Sequence, residues 1–111
     1  MSSNNNDPYY QKIGDGWAQA SRGEYSAAIS TFNDIIRSDN TNIDGYYGLG
    51  MAQRASGDKA GAKASFEKAK TLSEQMLAEI RHGATSNDLT TTRDDRYMML
   101  IRMLQQRLAE T

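Results

Sequence analysis

Residues 14–32 read GDGWAQASRGEYSAAISTF, and residues 48–66 read GLGMAQRASGDKAGAKASF. Laid over each other at a spacing of 34, Gly14, Gly16, Ala18, Gln19, Gly23, Ala28 and Phe32 recur as Gly48, Gly50, Ala52, Gln53, Gly57, Ala62 and Phe66, with Glu24 answered by Asp58. A fixed period of this length signals stacked helix-turn-helix units. One helix pair cannot bury its apolar face alone and does so against the next pair. Gly23 and Gly57 stand where each unit must turn, because glycine tolerates the positive φ of a tight helix end.

Outward from this core, the periodicity predicts an all-α chain. A first helix is expected from Pro8 to about Arg22, started by Asp7 and Pro8, and a second from about Tyr25 to Ser38, with Ala28, Ile29, Phe32, Ile35 and Ile36 at helical spacing. Polar Asp39 to Asn42 ends the first unit, and Asn42 is placed to cap a third helix spanning about Ile43 to Ser56. The fourth begins near Asp58 and carries Ala62, Phe66, Ala69, Leu72, Met76 and Ile80 as an unbroken stripe. Leu72 to Gln75 contain neither Gly nor Pro, so one long helix to about His82 is favoured over a new short helix capped by Ser73. Arg81 and His82 suit its carboxyl-terminal dipole, and Gly83 would stop it. Ala84 to Thr91 read as a polar loop. Thr92 then caps a last helix with Asp94 and Asp95 in its first turn and a core face of Tyr97, Leu100, Ile101, Leu104 and Leu108. That helix is read as the terminal cap a repeat array requires. The expected organisation is a disordered polar linker at residues 1–6 and a single domain at 7–111, divided into repeat one (9–42), repeat two (43–72) and an extension with capping helix (73–111).

The chain resembles the tetratricopeptide repeat family. The family pattern places a small residue eight positions into the first helix, Gly before the second, then Ala and a large aromatic along it. Gly16, Gly23, Ala28 and Phe32 fill these places, then Gly50, Gly57, Ala62 and Phe66, with Ala69 adding the last family position in the second copy. The match covers roughly residues 9–72. The family usually turns the chain after that point at a Pro, which is missing here. Large apolar residues expected at three places of the first helix are replaced by Lys12, Asp15 and Gln19, which allows that helix to be rotated.

The resemblance implies a protein or peptide interaction module whose first helices line a concave groove. The family's groove positions fall on Tyr10, Ile13, Trp17 and Ala20, then on Asp44, Tyr47, Met51 and Arg54. We take Tyr10, Ile13, Trp17, Tyr47, Met51 and Arg54 as the candidate partner-binding residues, since large aromatics anchor interfaces out of proportion to their number. Two readings of Trp17 and Met51 stand side by side. They line the groove, or they are core covered by the last helix or a second copy. Family members that bind acidic chaperone tails hold a terminal carboxylate with Lys and Asn in the groove. Ile13, Trp17 and Gly48 occupy the matching places, so that clamp is not expected. Met98, Met99 and Met103 lie off the core face of the last helix, either as an adaptable contact surface or as gap-filling. The alternative function is self-association, a homodimer burying the same inner face.

Composition bounds the remainder. The 111 residues suffice for one core. A formal net charge of −1 with interleaved signs supplies no basic stripe for phosphate backbones, so nucleic acid is not an expected partner. No apolar run approaches the roughly 20 residues of a spanning helix, so no membrane insertion is expected and the chain reads as soluble, with the cytoplasm the compartment favoured. There is no cysteine and one histidine, His82, so neither a zinc site nor any other metal or cofactor is expected. Gly14-Asp15-Gly16 lacks the strand, the Lys and the spacing of a phosphate loop, and Gly48-Leu49-Gly50 repeats it as a packing feature. Asp94 and Asp95 are adjacent and do not face each other on a helix. No catalytic residue is expected, nor an enzyme.

Overall fold

A computed structural model describes residues 9–83 and 88–110, with 82–83 and 88–95 described by their backbone alone. The described residues form five helices and no strand: α1 (Tyr10–Ser21), α2 (Tyr25–Ser38), α3 (Ile43–Ser56), α4 (Lys59–Gly83) and α5 (Asp88–Glu110). Each helix packs on its successor, and α1 also lies against α3. This is the arrangement of stacked helical hairpins, all-α as the 34-residue register requires. The expected linker at residues 1–6 and the helix start at Asp7 and Pro8 lie outside the described residues.

Both hairpins are closed by the same turn. Gly23 (φ 81°) and Gly57 (φ 98°) adopt the left-handed conformation. Glu24 N–H then donates to the Gln19 carbonyl at 2.9 Å and Gly23 N–H to that of Ala20 at 3.0 Å. Asp58 and Gly57 repeat the pair onto Gln53 at 2.9 Å and Arg54 at 3.1 Å. These bonds form a Schellman motif that satisfies carbonyls left over at the helix end. Asn42 caps α3 as expected, its Oδ1 accepting from Gly45 N–H at 2.9 Å, and Asp58 Oδ1 accepts from Gly61 N–H at 2.9 Å at the start of α4.

Two cores form, each between the second helix of a hairpin and the helix that follows it. The first is built from Ala28, Phe32, Ile35, Leu49 and Ala52, and the second from Ala62, Phe66, Ala69 and Leu104. Phe32 and Phe66 are fully buried, a placement that contributes roughly 1.5–3 kcal/mol each. The paired glycines make room for these rings. A Cβ on Gly16 would sit 2.6 Å from Phe32 Cζ and one on Gly50 2.6 Å from Phe66 Cε1, while one on Gly48 would collide with Phe32 from the other side. Gly14, the counterpart of Gly48, meets nothing within 4 Å because no hairpin precedes α1 among the described residues.

A second repeated feature escapes a search for apolar periodicity. The Thr31 hydroxyl donates to Gln19 Oε1 at 2.7 Å, and the Ser65 hydroxyl donates to Gln53 Oε1 at 2.6 Å. Thr31 and Ser65 are themselves 34 residues apart. Gln19, which looks like a departure from an apolar site, therefore bolts α1 to α2 as Gln53 bolts α3 to α4.

The fourth helix is unbroken across 25 residues. Ser73, the alternative cap of a new helix, is instead fully buried, with its hydroxyl donating to the Ala69 carbonyl one turn back at 2.8 Å. The last helix corrects the expected boundaries. Asp88 to Thr91 are helical and not loop, so Thr92 lies inside the helix instead of capping it and Asp94 and Asp95 sit nearly two turns in, while 84–87 of the expected loop lie outside the described residues. Threonine costs only a few tenths of a kcal/mol in a helix. With no Gly or Pro in the way, the helix fixed by the packing of Tyr97 to Leu108 extends backward.

Candidate functional site

Along α5 the apolar stripe packs on α4, with Leu104 fully buried in the second core and Leu108 half-buried beside it. The C-terminal part of α5 also lies beside α3. The Tyr47 hydroxyl donates to Met103 Sδ at 3.8 Å, and Arg54 Nη2 lies 3.2 Å from Glu110 Oε1. The two contacts keep one register, so α5 runs parallel to α3 as α3 does to α1. The inner face is therefore shared by three helices, the last of them supplied by the cap.

The six candidate residues do not share one environment. Tyr10 is 51% exposed at the start of α1. Ile13 and Trp17 are half-buried against the first core, and Tyr47 and Met51 against the second. Trp17 meets Phe32 edge-on, with centroids 5.6 Å apart and planes at 73°, and leans on Tyr47 at 5.9 Å. Tyr47 leans in turn on Phe66 at 5.9 Å. Four rings thus run from one core to the other, the outer two fully buried and the inner two, Trp17 and Tyr47, part-open. Trp17 is both an inner-face residue and a packing residue, so the two sequence readings of it describe different edges of one indole. Ala20 also packs on the first core, whereas Asp44 is exposed in the first turn of α3.

Arg54 closes this row with charge. Glu110 Oε1 accepts from Arg107 Nη1 at 3.4 Å and is ion-paired with Arg54 Nη2 at 3.2 Å, and the three side chains remain 35%, 36% and 32% exposed for Arg54, Glu110 and Arg107. The hydrogen bond to Tyr47 first, and the Glu110 carboxylate after it, hold Arg107 above its ordinary, already high range, so it stays cationic at any physiological pH. Arg107 and Glu110 were not legible as site residues, and Met103 was legible only as part of a second surface on the last helix or as gap-filling. Their spacing of four and three puts them on one stripe of α5, yet only packing places that stripe beside α3. Met98 and Met99 are instead 40% and 67% exposed, with Met98 Sδ accepting from Arg81 Nη2 at 3.1 Å.

A separate cleft of about 540 Å³ opens where α4 and α5 overshoot the start of α3. It has Ile43, Leu72 and Met76 among its apolar lining and Asp39, Glu79 and Arg96 among its charged lining. Among the described residues, no three His, Cys, Asp or Glu side chains gather as a metal site, and no helix is long and apolar enough to cross a membrane.

Residues 43–76 match the family model described as tetratricopeptide repeat. No curated protein matches the chain, and no solved structure does.

Proposed function

From a chain that carries a tetratricopeptide repeat at residues 43–76, a unit that generally mediates protein–protein interactions, we propose a non-catalytic module that holds a segment of a partner protein on the face shared by α1, α3 and α5. The observation that supports this most is the part-open Trp17–Tyr47 pair. Both rings are braced from behind by fully buried phenylalanines, so they present rigid aromatic surface at little further entropic cost. Ile13 and Met51 extend that surface along α1 and α3. The ligand is an apolar or aromatic segment, and Tyr10 at the open end lengthens the track.

Selection from a displayed random-peptide library tests the proposal. Enriched peptides should share apolar or aromatic positions, and Trp17→Ala should weaken their binding by about 2 kcal/mol or more while the protein remains folded. Peptides bound equally by the Trp17→Ala variant would move the site elsewhere. The exposure of Met98 and Met99 favours a second reading, self-association through the outer side of α5. Light scattering after size exclusion separates the two, because a stable dimer that dissociates on Met99→Ser belongs to the second reading alone.

A further inference from the structure

Glu110 meets two cations and no second carboxylate. Arg54 on α3 and Arg107 on α5 converge on a single oxygen of it, at 3.2 and 3.4 Å. Charge-assisted contacts of this kind tighten to roughly 2.7–2.9 Å when geometry is good, and a guanidinium fork suits both oxygens of a carboxylate. The contact is therefore long, made through one oxygen, and about one-third exposed on every member, which makes it exchangeable with an acid arriving from solution. Its location also matters. Arg54 lies one helical turn beyond Met51, and Arg107 lies one turn beyond Met103, whose sulfur the Tyr47 hydroxyl meets, so the two guanidinium groups sit at the edge of the aromatic surface.

We propose that Arg54 and Arg107, with the Tyr47 hydroxyl beside them, form a binding site for an acidic side chain of the partner segment, and that Glu110 is a resident stand-in for that side chain. The inference rests on the groove reading above and adds the ligand's charge and its place. The source is a side-chain carboxylate because the resident occupant is one, a Glu carried on a helix. When the partner's acid enters, Glu110 leaves to solvent and one carboxylate replaces another, so the site keeps its net charge of +1. A segment with an aromatic or apolar residue followed closely by Glu or Asp fits Tyr47, Met51 and the two arginines together.

Two capped peptides, acetyl-Leu-Phe-Glu-amide and acetyl-Leu-Phe-Gln-amide, test this by nuclear magnetic resonance titration of the whole chain and its Glu110→Gln variant. With the stand-in neutralised, the Glu peptide should bind about tenfold tighter than to the wild-type protein, the difference one charge-assisted contact makes. The Gln peptide should gain nothing, and Arg54→Gln added to Glu110→Gln should erase the preference. Equal gain for both peptides, or none for the Glu peptide, overturns the proposal. If Glu110→Gln unseats α5, seen as shifted Leu104 and Leu108 amides, the wild-type protein decides. The Arg54 and Arg107 side-chain N–H signals should move with the Glu peptide and not with the Gln peptide, and identical responses overturn the proposal. The groove reading fails separately. If both peptides perturb Trp17 and Tyr47 alike, the groove stands and the acid site falls, whereas if neither does, both fall.

Discussion

Phe32 is clamped between Gly16 and Gly48, and that clamp assigns opposite effects to one substitution at two equivalent places. Gly48→Ala puts a Cβ into a fully buried ring that has nowhere to move, so it should destabilise the protein by about 1–3 kcal/mol despite alanine's better helix propensity. Gly14→Ala, at the same repeat position, meets open space and should stabilise by about 0.5–1 kcal/mol. Urea denaturation of the two variants checks the clamp directly, since equal signs would mean that Gly48 does not face a packed ring or that Gly14 does not face open space. Phe66→Ala should cost about 3–5 kcal/mol by the same melt, because the cavity would be lined by helices that cannot collapse onto each other. The glycines and phenylalanines were legible in the sequence because their spacing repeats. The Gln19–Thr31 and Gln53–Ser65 bonds repeat as well, but polar residues on apolar faces read as exceptions until their partners are seen.

Among the helices, α4 departs most from a simple two-hairpin pattern. Its continuity through Leu72 to Gln75 predicts slow amide exchange there, and Glu74→Pro should cost about 3 kcal/mol or more by breaking the ladder. Fast exchange and a tolerated proline would indicate a turn and a third short hairpin. The length of α4 was readable because nothing in 72–75 ends a helix. The start of α5 was not, because the Thr-rich stretch before Tyr97 has weak preferences that tertiary packing overrides. Between helices, the repeated polar bolts differ in burial: Ser65 is buried, whereas Thr31 is half-exposed. Gln53→Leu, which strands a buried hydroxyl, should therefore cost about 1–3 kcal/mol, and Gln19→Leu clearly less, since water replaces the lost acceptor. The comparison is made by thermal melts of both variants.

For the molecule entire, the proposed groove and the stacking of hairpins share residues, so affinity and stability are coupled at Trp17. Its indole packs on Phe32 and Tyr47 yet is part-open, which predicts fluorescence quenching by acrylamide between that of a free and a buried indole. A partner segment on the groove should suppress that quenching. Binding by aromatic burial should also lose little affinity between low and high salt, except for the share carried by Arg54 and Arg107. An indole fully shielded in a chain shown by light scattering to be monomeric would leave the inner face as core and no groove to fill. By itself, the sequence determined the all-α class, the two hairpins, their turns at Gly23 and Gly57 and the burial of Ala28, Phe32, Ala62 and Phe66, because each follows from local periodicity or from a backbone angle that one residue type favours. Only the tertiary structure decided that α5 lies beside α3 and brings Met103, Arg107 and Glu110 to Tyr47 and Arg54. The register between helices far apart in the chain depends on how side chains interlock, and no spacing along a single strand of sequence records it.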